Sequence, residues 1–282
     1  MPLLKLTLAV LALLLLFALA MLAWLRFTPV SVAHGWSYVV VQDNLERITS
    51  LARMPDGSIV ATLSPRQHLG GPGQGRLVQL DLANERYRVL ADGLYKPNGL
   101  LPYPGGVVIT QEMANQPVLR WKDGKVEPLL MLVKPESIVG TTAGQWLVIE
   151  DTTGGRLLQV DPGTLEKTVL HQGFKAGEGV CVGRDRRIFV VDNKTSVLQE
   201  YRDGSMLTVL GGLHGPGFLR CTRDGIWITE DVTNNGRLIF YDYEQMHVVA
   251  EHLHSPQSVL EDGQTLLLAE QGRSRLLRFT RQ

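Results

Sequence analysis

The chain has 282 residues, 44% of them hydrophobic, and its 28 Lys and Arg balance 28 Asp and Glu to a formal charge of zero. That balance leaves no basic excess for nucleic acid, and the length suits one large domain with a short appendage. The 29 Gly fit a domain of many tight turns.

The appendage comes first. Residues 6–25 are an apolar run of about 20 residues, enough for a helix to span a bilayer core. Residues 1–27 are therefore expected to be a signal anchor, a single transmembrane helix. Ala18-Leu-Ala20 and Ser31-Val-Ala33 resemble processing sites, which keeps a cleaved signal peptide as the alternative. Lys5 precedes the run and Arg26 follows it, so the amino terminus is expected inside and the remaining domain on the exocytoplasmic side, the periplasm in a bacterium. Residues 28–35 read as a short tether.

From residue 36 a repeat of about 40 residues takes over. Residues 132–173 show it: four short apolar strands separated by Thr-Ala-Gly, Thr-Gly-Gly and Asp-Pro-Gly turns. The segment leading into the first strand recurs as Leu45-Glu-Arg-Ile-Thr49, Leu94-Tyr-Lys-Pro-Asn98, Leu132-Val-Lys-Pro-Glu136, Phe174-Lys-Ala-Gly-Glu178, Leu213-His-Gly-Pro-Gly217 and Leu253-His-Ser-Pro-Gln257. The third strand recurs as Gly75-Arg-Leu, Gly155-Arg-Leu, Gly236-Arg-Leu and Ser274-Arg-Leu. One β-meander per repeat predicts an all-β, six-bladed propeller over residues 36–282. The last copy ends after its third strand, so the strand near Tyr38-Val-Val-Val-Gln42 is expected to complete it and close the ring, which removes two free sheet edges.

Cys181 and Cys221 fall in the inner strands of consecutive copies, one residue out of phase. The sulfurs could meet near the axis, but facing sheets sit about 10 Å apart and a disulfide needs Cα atoms within about 7 Å. Buried free thiols are expected.

One face of the propeller carries tight hairpin turns of the Asp-Gly type, explained by geometry alone. The other collects acids and amides. Asn98, Glu136, Glu178 and Gln257 begin inner strands and should project towards the axis. Glu150-Asp151, Asp192-Asn193, Glu230-Asp231 and Glu270-Gln271 end second strands, where pairing with the Arg of the Gly-Arg-Leu repeat is the structural reading. Two carboxylates about 5 Å apart repel by roughly 3 kcal/mol at an effective dielectric near 20. A hard cation offsets that repulsion best, so calcium is expected on Asn98, Glu136 and Glu178. Catalytic proton transfer is expected from Glu178, His214 or His254. Substrate contacts are expected from Asp192, Glu230, Gln257 and His68, the last in a long Gly- and Pro-rich loop on the same face.

Lys96-Pro-Asn98-Gly-Leu and Arg223-Asp-Gly-Ile-Trp-Ile-Thr229, with the six repeats and the closure, make residues 36–282 resemble the gluconolactonase and regucalcin superfamily of calcium-dependent hydrolases. Paraoxonases and strictosidine synthase are more distant relatives. The resemblance implies an axial calcium ion that polarises a lactone or ester carbonyl for attack by water, with Asn98 matching one amide ligand. The other positions depart from the family pattern: Glu178 replaces an Asn, Gly217 replaces the ligand and catalytic Asp, and Thr49 replaces a Glu. The metal-free strictosidine-synthase-like branch relies on a carboxylate, a part open to Glu136, Glu178 or Glu230. Two functions follow: a membrane-anchored lactonase or esterase, or a non-catalytic propeller that binds a membrane-protein partner.

Overall fold

Every copy of the repeat becomes an antiparallel sheet, and the six sheets surround a common axis. The computed structural model describes the backbone of residues 2–65 and 73–282, and the side chains of all of these except residues 2–6, 8, 9, 25 and 26. His68, an expected substrate contact, lies outside the described residues.

The strand sequences explain the layering. Second strands such as Ile59–Leu63 are buried at every position, and Trp146–Glu150 is buried at all but its first. They read as continuous apolar runs because neighbouring blades cover both faces. Outer strands such as Lys125–Met131 are mostly exposed. Between successive blades lies one apolar cluster, six around the ring. The cluster joining the last blade to the first packs Leu260, Leu267 and Leu276 against Leu51, Leu63 and Val78. At roughly 1.5–3 kcal/mol for each fully buried large side chain, the ring is held by its blade interfaces. The Gly of the Gly-Arg-Leu repeat reflects crowding: a Cβ on Gly75 would lie 2.3 Å from Cδ of Pro97 in the next blade.

The expected closure is present. β1 (Ser31–Val32) and β2 (Trp36–Gln42) precede the first blade, and β2 pairs antiparallel with the strand Arg275–Arg281, Trp36 opposite Arg281 and Gln42 opposite Leu276. Tyr38 packs on Phe279, ring centroids 5.9 Å apart. The segment read as a short tether, residues 28–35, packs on the propeller. β1 adds a fifth strand to the fifth blade through Ser31–Glu251 and Val32–Ala250, Val30 is buried, and Arg273 Nη2 donates to the Thr28 carbonyl at 2.8 Å.

Ahead of it, α1 runs Pro2–Phe27. Among the described residues no helix is long and apolar enough to cross a membrane, so the expected transmembrane span is not shown.

The cysteines overturn the expectation of free thiols. Cys181 and Cys221 form a disulfide, with Cα atoms 5.5 Å apart. Flat facing sheets would hold them too far apart, but inner strands of adjacent blades converge at the axis.

Candidate active site

Six loops, one per blade, lead from the outer strand of one blade into the inner strand of the next, and their construction is repeated. The residue ending each second strand of blades two to six receives a loop N–H: Gln111 from Tyr95 at 2.7 Å, Glu150 from Val133 at 3.0 Å, Asp192 from Lys175 at 2.6 Å, Glu230 from His214 at 2.7 Å and Glu270 from His254 at 2.8 Å. The charged members among these are then paired by the Arg of the third strand where the repeat supplies one. Arg156 meets Glu150 at 2.7 Å, Arg237 meets Glu230 at 2.6 Å, and Arg275 meets Glu270 at 2.5 Å. A carboxylate that is buried, paired and bonded to backbone is satisfied where it stands.

Two expected substrate contacts therefore lie away from the axial opening. Glu230 is fully buried and spent on Arg237 and the loop. Asp192 is buried and accepts from Lys175, Ala176 and Lys194. Neither lines the axial opening.

One residue further on, strand alternation turns the side chain towards the axis. Glu112, Asp151, Asp231 and Gln271 occupy that position, and each sends its N–H to the third residue of the neighbouring loop: Glu112 to Lys96 at 3.0 Å, Asp151 to Lys134 at 3.0 Å, Asp231 to Gly215 at 2.9 Å and Gln271 to Ser255 at 3.2 Å. With Asn98, Glu136, Glu178 and Gln257 below them, they line an upper chamber of about 230 Å³. The expected axial carboxylates thus converge as the repeat implied.

Around Glu136 the chamber is crowded with charge. Glu112, Glu136 and Asp151 offer carboxylate oxygens within 4.8 Å of one another. Asn98 Nδ2 donates to Glu136 Oε1, while Glu136 Oε2 is buried and accepts from no donor; the protonated carboxyl is within hydrogen-bond reach of Glu112. Burial, then the negative charges of Glu112 and Glu178, holds Glu136 well above the ordinary carboxyl range. Glu178 is pushed up to about 9, first by burial and then by Asp151, Glu112 and Asp231.

Two lysines answer part of this charge. Lys96 pairs with Glu112, and Lys134 lies 2.8 Å from Asp151 and 3.7 Å from Glu112. Burial acts to lower both ammonium groups, but the surrounding carboxylates outweigh it and raise them, so both stay charged. Sequence reasoning missed Glu112, Lys96 and Lys134. The signal was there: Gln111-Glu112 aligns with Glu150-Asp151, and Arg47, Lys96 and Lys134 share the third place of the repeated loop.

The expected histidines stand apart. His214 is exposed and His254 is buried beneath Gly272, and neither lines the chamber. Their shared repeat position directs the main chain to Glu230 and Glu270 rather than the rings to the axis.

No protein-family model matches the chain, and no curated protein matches it in sequence. Solved structures do match in shape. A gluconolactonase from Xanthomonas campestris superposes with a TM-score of 0.67 over 89% of this chain and 94% of its own, at 14% identity. The chain shares that structure's propeller fold. Other propellers match it as well: a PQQ-bound aldose sugar dehydrogenase from Streptomyces coelicolor (TM-score 0.65, 12% identity, 89% of this chain and 99% of that one) and a virginiamycin B lyase from Staphylococcus aureus (0.58, 12%, 87% and 99%). Three chemistries share the architecture, so the gluconolactonase-like fold positions a site without choosing its reaction.

Proposed function

We propose that this gluconolactonase-like propeller is a hydrolase that takes a lactone or ester in its upper axial chamber. The observation that carries the reading is Glu136, a buried carboxyl with one oxygen that accepts from no donor, beside a half-buried carboxyl, Glu178, in a chamber reached from solvent.

The residues fit a hard cation. Glu112, Glu136 and Asp151 supply clustered carboxylate oxygens, Glu136 Oε2 is an open donor, and exchanging the Asn98 amide nitrogen and oxygen would add another. Such an oxygen set is what calcium takes. Calcium held there would polarise the carbonyl as a Lewis acid.

The chain supplies the proton chemistry. With a pKa of about 9, about one Glu178 in a hundred is ionised at pH 7, but that form is a strong base by the Brønsted relation. It takes a proton from water as the water oxygen bonds to the carbonyl carbon. The same proton passes to the leaving oxygen as the acyl–oxygen bond breaks, and the carboxylate is restored. Lys96 and Lys134, held charged, stabilise the negative charge that develops on the carbonyl oxygen. Activity should rise with pH towards 9, and calcium should move that limb lower because a nearby cation favours the carboxylate. Assay of an aryl-ester and lactone panel tests this: Glu178→Gln should lose about a hundredfold or more, and chelator should reduce activity. Full activity in Glu178→Gln would rule the reading out.

A second reading, a non-catalytic propeller docking a membrane-protein partner, is favoured by the two lysines already pairing Glu112 and Asp151. It stands if calcium leaves the melting curve unmoved and no ester or lactone is cleaved.

We also propose that α1 anchors the propeller to a membrane, with the propeller on the exocytoplasmic side. The 26-residue length of α1 and the disulfide, a bond of oxidising compartments, support this. Thr28, directly after the helix, is held by Arg273 in the loop that follows the second strand of the sixth blade, on the face of the upper chamber. An anchored propeller would therefore present the chamber mouth to the bilayer. Flotation of the full chain with liposomes checks the anchor, and recovery of the intact chain in the soluble fraction would refute it.

A further inference from the structure

Below the ring of Asn98, Glu136, Glu178 and Gln257 the axial space continues as a lower chamber of about 390 Å³, within the range of small-molecule sites. Its walls change character with depth. Three residues past the ring, the inner strands of blades one to five present Ala52, Leu101, Val139, Cys181 and Arg220. Arg220 is the polar member of an otherwise apolar level.

Its setting separates it from the other arginines. Arg53, at the same end, is paired with Asp262 at 2.6 Å. Arg187, Arg237 and Arg275 are each paired with a buried Glu. Among the described residues the Arg220 side chain has no hydrogen bond and no ion pair, and Glu261 acts on it only at longer range. The side chain is solvent-accessible, yet the protein around it is dense enough that burial lowers its pKa. Its strand is fixed on the adjoining residue by the Cys181–Cys221 disulfide, so the backbone that carries the guanidinium is held in place.

We propose that the lower chamber is a binding site for an organic monoanion with a slender apolar body, its anionic group on Arg220 and its body against Leu101, Val139 and Phe218. A guanidinium presents paired donors to a carboxylate, and the apolar wall supplies area for the body. The opposite orientation is disfavoured, because the upper end of the axis carries Glu112, Glu136, Asp151, Glu178 and Asp231. At about 3.3 Å per residue, the three-residue rise from the ring to Arg220 sets a ligand length of about 10 Å. The proposal does not depend on the hydrolase reading.

Octanoate has that length and charge, and octanamide is its neutral counterpart. Calorimetric titration of the full chain should show octanoate binding at least about tenfold more tightly than octanamide. Arg220→Met should remove about that factor for octanoate and leave octanamide unchanged. Arg220→Lys, which keeps a charge without the fork, should fall between the two, and it preserves the test should the Met variant melt early. Absence of octanoate binding, equal binding of the amide, or equal octanoate affinity in Arg220→Met would each overturn the proposal.

Discussion

At the scale of single residues, the acids of the upper face divide into two kinds that look alike in sequence. Glu230 and Glu270 are spent on arginines and loop N–H groups, while Glu136 and Glu178 remain under electrostatic pressure in the chamber. The difference is measurable. Glu178 is an ordinary carboxyl near 4.5 when unfolded and about 9 when folded, so between those values the folded state holds the extra proton. Its contribution to stability is complete below about pH 4.5 and is lost as pH rises through about 9. The melting temperature of the wild type should therefore fall over that window, and Glu178→Gln should flatten the slope. An unchanged slope in the variant would show that Glu178 is not the group responsible. Arg237→Ala makes the opposite case. It strands the fully buried Glu230 and should cost about 3 kcal/mol, read by urea denaturation.

At the scale of elements, the decisive one is β2. It covers the edge of the strand Arg275–Arg281, whose Leu276, Leu277 and Phe279 are fully buried. A variant beginning after Asn44 leaves that edge unpaired, and an open apolar edge recruits other chains. Such a variant should melt markedly lower and aggregate on heating, as light scattering would report. Equal melting temperatures would mean the ring is not closed by this strand. The same segment carries the lesson of the tether. Thr28, Val30 and β1 are fastened to the fifth and sixth blades, so the point where α1 leaves the propeller is fixed by packing.

At the scale of the molecule, six blades are joined by apolar interfaces and by one covalent link. The disulfide spans 40 residues and ties the fourth blade to the fifth at the axis. Closing a loop of that length restricts the unfolded chain by about 3–4 kcal/mol. Replacing both cysteines by Ser should lower stability by about that amount in guanidinium, while the wild type under reductant should approach the variant. Loss of less than about 1 kcal/mol would assign the ring's stability to the blade interfaces alone.

The blade count, the strand order, the closure by β2 and the axial meeting of Asn98, Glu136 and Glu178 were legible in sequence, because a repeat imposes the same strand ends and turns on every copy. A period fixes which residues share a level and a face. It does not fix what each side chain meets across the axis. That Glu230 is neutralised by Arg237 while Glu136 keeps an oxygen that accepts from no donor, that Lys96 and Lys134 sit among the acids, and that Cys181 reaches Cys221 all depend on distances between different blades. Those distances shrink towards the axis, where the strands converge, and only the closed tertiary structure sets them.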